Sequence, residues 1–383
     1  MRLLLILLAF TSQLYAQKMP SYFMSRTTGS LPFIEYGTGE DRLGGAKMSF
    51  IDTSILVKVI DSFKTRYKVQ LSKNHTGYID KVLLVPVNTS AKDEYLTSNY
   101  RVYGDSIYDY VIISLEEKLP YRSIQQIGPA RLVVDIFGVT SNTNWITQLS
   151  SCKEIRNVWY EQSEDDVMRV FIDLKHSQHW GHSIYYAGNK LVIKVKRQPD
   201  DLSLSKLRIA IDAGHGGENK GATGITSKIF EKNYTMLIAK QLQKELLMRK
   251  AFVIMTRQND TSLSMIERVQ LLKDSLPDLL ISIHLNSASV DTVRGVSTYY
   301  RYIGFRPLSV AILKHMLELG LPEWGNVGNF NFGLNGPTDY PNCLVEVAFL
   351  SNIKDEKLIL DTGFRKSVAK KIADGIEEFL KNQ

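Results

Sequence analysis

The sequence predicts an α/β domain over residues 206–383, a mostly parallel sheet with helices on both faces, preceded by two small all-β domains at 20–90 and 97–198. Three observations carry this. Beyond residue 206, apolar strand patterns alternate with helical ones, which implies parallel strands joined by helices that cover both faces. Between 20 and 90, short strand patterns are separated by turn residues, as in a small β-barrel. Between 97 and 198, a pair of alternating strands occurs twice over, a layout that packs as a small sandwich.

With 383 residues, the chain has room for two or three domains, each with its own core. Composition is 44% apolar and 23% charged, which excludes a disordered class. The net charge of +7 is spread along the chain. It suits an anionic wall polymer and forms no stripe of the kind that binds nucleic acid. Residues 1–16, MRLLLILLAFTSQLYA, read as a secretory signal peptide. Arg2 gives the positive start, residues 3–10 an apolar core too short to span a bilayer, and Ala16 a small residue before the cut. Leu14 fits poorly at the third position before that cut, and an uncleaved anchor is the alternative. The chain is therefore expected to be exported, to the periplasm or cell envelope, with no membrane span beyond the leader. Cys152 and Cys343 fall in different predicted domains, so two free, buried thiols are expected.

Within 20–90, residues 53–60 alternate, 67–71 follow, and Gly77-Tyr78-Ile79-Asp80-Lys81 closes the series. The run YKVQLSKNHTGYIDKVLL resembles the closing strands of bacterial SH3-like domains, which implies wall or peptide binding; a structural spacer is the other reading. Residues 91–94 form a polar linker. In the next region 110–115 leads to 129–136, and 168–174 leads to 189–195. This layout is similar to the AMIN domain, a wall-targeting module. His176, His179 and His182 stand three apart in HSQHWGH. In extended chain such steps alternate faces, so a polar loop is expected there rather than a metal site.

Residues 198–205 form a second polar linker. Strands are expected at 207–214, 252–256, 278–286, 295–300 and 342–350. Helices are expected at 231–249, with Leu237, Ile238, Leu242 and Leu246 on its buried face, and at 264–273, 307–319 and 363–380. Ser264 is a good N-cap for the second.

Sheets of this type place their sites at the carboxyl ends of the strands. His215 follows the first strand, His284 lies near the end of the third, and Glu346 lies in the last; Glu231 opens the first helix and can point back to the same edge. Two histidines and a carboxylate form a ligand set for catalytic zinc. A histidine or glutamate within an apolar strand is costly unless paired or metal-bound. Each has a second reading. His284 alone fits a satisfied core histidine, Glu346 a buried ion-pair partner, and Glu231 a helix-start acid favoured by the dipole. Convergence on one edge favours a site.

DAGHGGENKGATG with FEKN, TRQND with Leu263 and Arg268, LLISIHLNS, and PNCLVEVAFLSNIKDE occur in that order between 207 and 379. They closely resemble the four motifs of the zinc-dependent N-acetylmuramoyl-L-alanine amidases of the Amidase_3 family. The resemblance implies that His215, Glu231 and His284 bind Zn2+ and that Glu346 is the catalytic carboxylate. It implies peptidoglycan as partner and substrate, cleaved between the lactyl group of muramic acid and L-alanine in wall remodelling or cell division; a protein activator is compatible with it. Asp212 is placed to accept a hydrogen bond from a histidine or to serve the fold. Arg257, Arg268 and Asn286 occupy motif positions with the same choice. The loop glycines are expected to keep the metal's open face clear. The chain departs from the family at Ala348, usually glycine, and at 329–335, which lacks the arginine many members carry. The interval from His284 to Glu346 is taken up by sheet and helix, so no helix is expected to cover the site. A wall-binding protein with a weakened hydrolase domain and a zinc carboxypeptidase-like exopeptidase are the rival readings.

Overall fold

A computed structural model describes residues 22–39, 44–92 and 94–383; the expected signal peptide lies outside the described residues. The C-terminal domain is built on six strands: β1 (Arg208–Ala213), β2 (Phe252–Met255), β3 (Leu279–Asn286), β4 (Val296–Tyr299), β5 (Glu323–Val327) and β6 (Asn342–Phe349). Their order across the sheet is β2-β1-β3-β6-β4-β5. The first four run parallel, β4 is antiparallel to β6, and β5 is parallel to β4. Five helices accompany them: α1 (Glu231–Met248), α2 (Met265–Ser275), α3 (Arg306–Leu317), α4 (Ile353–Leu360) and α5 (Thr362–Lys381).

Strand alternation divides this sheet into two unlike faces. Ile209, Ile211 and Ala213 of β1, Leu279, Ile281, Ile283 and Leu285 of β3, and Cys343, Val345 and Val347 of β6 form one large core with α1, α3 and α5. The opposite face carries Ala210 and Leu280 against Val269 and Leu272 of α2. Asp212, His284 and Glu346 share the parity of this second face. The chemistry-bearing residues thus sit on the side with the thinner cover.

Helix α1 starts and ends close to expectation, but Leu237 is 43% exposed. A step of about 100° per residue turns it away once Ile238, Leu242 and Leu246 face the sheet; Met236 and Ala239 flank them instead. Ser264 caps α2 as expected, in a reciprocal box with Glu267. The sequence pattern did not anticipate β5 or α4. β5 is an edge strand with a glycine inside, and α4 is a two-turn helix started by the Asn352 side chain.

The region before residue 90 forms an antiparallel seven-stranded sheet ordered Lys47–Phe50, Phe33–Glu35, Thr76–Asp80, Arg66–Gln70, Leu56–Phe63, Phe23–Thr27, Leu84–Val87. The next region has two sheets. Tyr108–Leu115 pairs with Lys190–Lys196 in one, and Ala130–Phe137 pairs with Val167–Leu174 in the other. Each half of the internal repeat therefore gives one strand to each sheet. One buried core runs through both β regions, from Ile34 to Val195. Polar contacts join them too: Tyr186 N donates to Asp52 at 2.9 Å, and Arg26 pairs with Glu117 at 2.8 Å.

The three spaced histidines have three separate partners. His176 meets Glu154 at 2.6 Å, His179 the Gln126 carbonyl at 2.8 Å, and His182 the Ser123 hydroxyl at 2.8 Å. They gather no metal site, but His179 and His182 are buried rather than in a solvated loop. They sit where this region docks on the C-terminal domain: His182 N donates to the Thr338 carbonyl at 2.7 Å. Both cysteines are free; Cys343 is buried as expected, whereas Cys152 is half-buried. Among the described residues, no helix is long and apolar enough to cross a membrane.

Candidate active site

At the end of β1 the chain turns through Gly214, His215 and Gly216. His215 has φ 61°. A non-glycine residue there is strained by roughly 1–3 kcal/mol and needs support from around it. Two buried arginines give it. Arg268, from α2, donates to the Ala213 carbonyl at 3.0 Å and to the His215 carbonyl at 2.5 Å. Arg257, after β2, donates to the carbonyls of Ala213 at 2.9 Å and Gly214 at 3.0 Å. Arg268 is in turn paired with Asp212 at 2.5 Å, and the Thr256 and Ser282 hydroxyls each donate to Asp212 at 2.7 Å. Burial opposes the charge on Asp212, yet Arg268, His284 and these hydroxyls hold its carboxyl below the usual range. Its hydrogen bonds go to Arg268, Thr256 and Ser282, so Asp212 orients an arginine rather than a histidine.

Glu231 is the first residue of α1 and is buried. Its Oε2 lies 2.9 Å from His215 Nε2, and its Oε1 lies 3.0 Å from His284 Nδ1. The Ala222 N–H donates to Oε2 at 2.7 Å and the Leu285 N–H to Oε1 at 2.9 Å. Burial alone would raise the carboxyl pKa; hydrogen bonds from the two histidines and their charge reverse that and lower it. For His284 burial favours the neutral ring, but Glu231, Glu346 and Asp212 raise its pKa. Asn219 orients the His215 ring. Its Oδ1 accepts the Gly221 N–H at 3.2 Å and lies 2.9 Å from His215 Nδ1, which leaves Nε2 as the nitrogen turned toward Glu231.

One ligand atom from each of His215, Glu231 and His284 lies within 4.8 Å of the others. Two imidazoles and a carboxylate are the donor set of a catalytic zinc position. The surrounding glycines are shaped to these side chains. A Cβ on Gly214 would lie 2.5 Å from the His284 ring, and one on Gly221 2.4 Å from Glu231 Oε2. Gly216 and Gly217 pack against the Thr261–Ser262 chain instead. These glycines make room for the ligands, rather than clearing the far face as the sequence suggested.

Glu346 sits beside His284 on the next strand, paired with it in register. The four residues line one cavity of about 460 Å³, together with Asn219, Asn286, Phe330 and Phe332. The structure therefore brings together all four residues singled out in the sequence. Phe332 stands edge-on to His284 at 5.4 Å, and Phe330 packs on Tyr299 at 4.5 Å. The sequence flagged their segment, 329–335, only for the arginine it lacks, and gave these two aromatics no role. Helix α3, in the interval between His284 and Glu346, packs on α5 and β4, and none of its residues lines the cavity.

Residues 209–378 match the family model described as N-acetylmuramoyl-L-alanine amidase, and residues 99–202 match the AMIN domain. Among curated relatives, a probable cell wall amidase LytH of Staphylococcus epidermidis is 33% identical over 187 residues, covering 47% of this chain and 62% of that protein. The Staphylococcus aureus counterpart is 32% identical over 170 residues, 44% of this chain and 57% of that protein. The chain thus spans less than two thirds of these relatives' length. Among solved structures, the catalytic domain of CwlV from Bacillus (Paenibacillus) polymyxa is 34% identical with a TM-score of 0.44, covering 46% of this chain and 99% of that one. An N-acetylmuramoyl-L-alanine amidase from Clostridium difficile 630 is 30% identical with a TM-score of 0.45, covering 46% and 98%. Through residues 209–378 the chain belongs to the N-acetylmuramoyl-L-alanine amidase family, carried behind an AMIN domain at 99–202.

Proposed function

We propose that the chain is a peptidoglycan hydrolase that cleaves the amide between N-acetylmuramic acid and L-alanine, with Zn2+ held by His215, Glu231 and His284. The observation that carries the reading is the meeting of these three donors, within 4.8 Å, in the cavity that also holds Glu346. Zinc held by such a set lowers the pKa of water and polarises an amide carbonyl. The chain's own residues do the rest. Asn219 holds the Nδ1 side of His215 so that Nε2 faces the other donors, and the N–H groups of Ala222 and Leu285 hold both oxygens of Glu231. Glu346 takes the proton of the attacking water and returns it to the departing alanine nitrogen. Export to the cell envelope would bring the site to its polymer, and the two β regions would hold it there.

Muropeptide analysis after incubation of the metal-loaded protein with purified sacculi tests this. Free stem peptides and glycan stripped of peptide are expected. No release would leave a wall-binding protein. Hydrolysis of simple peptides without muropeptides would favour an exopeptidase.

A further inference from the structure

The cavity has one wall that the metal-binding motifs do not supply. It is the segment 328–332, which leads from β5 toward β6 and carries Phe330 and Phe332. Side chains two apart in extended chain share a side, and the one between them faces away. Asn331 is that residue, and it faces the N-terminal sheet. Its Nδ2 donates to the Gly45 carbonyl at 2.8 Å, and its Oδ1 accepts the Lys47 N–H at 3.3 Å. Arg301, just past β4, completes the joint: it donates to Asn331 Oδ1 at 3.4 Å and to the Lys47 carbonyl.

Apolar contacts repeat the message on either side. Gly336 lies against Phe50, where a Cβ would come within 2.5 Å of the ring. Leu31 packs against the cluster that also receives Phe332. Within its own domain the segment is held mainly by its rings, Phe330 on Tyr299 and Phe332 on His284, while its main chain is lightly tied: Asn329 is at φ 54°, and the Phe330 N–H bonds to the Tyr300 carbonyl at 3.1 Å. A segment with so few backbone bonds and so little burial is of low local stability unless something else fixes it.

We propose that the N-terminal sheet is a structural part of the active-site wall: through Asn331 it positions 328–332, so that Phe330 and Phe332 form the apolar side of the pocket. Resting on the amidase reading, this gives the wall a substrate partner, the methyl-bearing lactyl and alanyl groups on either side of the scissile amide. Asn331 is a positioning residue; the two phenylalanines are the contacts. The first region of the chain then does more than anchor the domain to the wall.

Asn331→Ala and the isosteric Asn331→Asp, each in the full-length chain, test the proposal. Asn331→Asp loses the donor to the Gly45 carbonyl at constant size. Amide hydrogen exchange over 328–336 is expected to quicken in both, with bound zinc per chain unchanged. With a soluble muropeptide, KM should rise roughly tenfold, the loss of one or two hydrogen bonds, while kcat stays within about twofold. Exchange at the wild-type rate would overturn the proposal, as would a fall in kcat with loss of zinc at constant KM. If the wild type cleaves no muropeptide, the amidase reading fails, and the exchange rates still decide whether the sheet holds the wall.

Discussion

Arg268 and Asp212 form a buried ion pair, 2.5 Å apart, whose arginine also grips the main chain at His215. One side chain thus couples the sheet to the strained histidine. Replacing Arg268 with methionine leaves a buried carboxylate unpaired, and thermal or denaturant unfolding should show a loss of about 3–5 kcal/mol. Arg268→Lys keeps the charge but not the planar fork. It should fold and bind zinc about 10–100-fold more weakly, as for loss of an outer-shell partner. Wild-type zinc affinity in Arg268→Lys would mean that the grip on His215 does not matter.

Glu346 differs from its neighbours in what its loss should do. It lines the cavity beside His284 without belonging to the cluster of three donors. Glu346→Gln should therefore keep its zinc, read by metal analysis, while turnover on muropeptides drops by about 10²–10⁴-fold. Loss of zinc along with turnover would make Glu346 a ligand instead.

Zinc binding should depend on pH through His284. Its folded pKa is raised above 6.5. In the metal-free protein its contribution to stability is full below the unfolded value and lost as pH rises through the folded one. A metal must displace that proton, so zinc affinity should climb as pH rises from 6 toward 8. The pKa of Glu231 is lowered from 4.5, so Glu231 adds nothing to this slope. Competition titrations with a chelator at several pH values measure it, and a flat profile would contradict the raised pKa.

Three of the four candidate site residues were legible because each breaks a local rule, whereas Glu231, an ordinary helix-start acid, stood out only by sharing their sheet edge. His284 and Glu346 are polar within apolar strands, and His215 lies in a glycine-rich turn. The order of strands and helices was legible for the same kind of reason, as periodicity survives in long, buried elements. Partnership was not. Asp212 reads equally as a histidine partner or a fold residue, and only the approach of α2 makes it the anchor of Arg268. Leu237 belongs to the apolar run of α1, yet a rotation of one position puts it in solvent. The sequence marked the segment of Phe330, Asn331 and Phe332 only for a missing arginine, because the contacts of Asn331 are with residues 45–47, nearly three hundred positions earlier in the chain. Tertiary contact between distant segments is the information that a local pattern lacks.

The interface near His182 should loosen in acid. His182 is buried, and its pKa is pushed down to about 3 by burial and by the charge of His179, which is itself lowered. A folded pKa below the unfolded value means that the unfolded chain takes up the proton first. Stability from His182 is thus complete above pH 6.5 and declines as pH falls from there toward 3, by up to ~1.4 kcal/mol per unit. The ring holds Ser123 while its main chain holds Thr338, four residues before β6 begins. Protonation therefore strains the seam between the AMIN region and the segment leading into the strand that carries Glu346. Melting temperatures of wild type and His182→Asn between pH 7 and 5 separate this effect from general acid unfolding, because Asn keeps a partner for Ser123 without titrating. The wild type should lose more stability over that range than the variant, and parallel curves would show that the seam does not respond to protons.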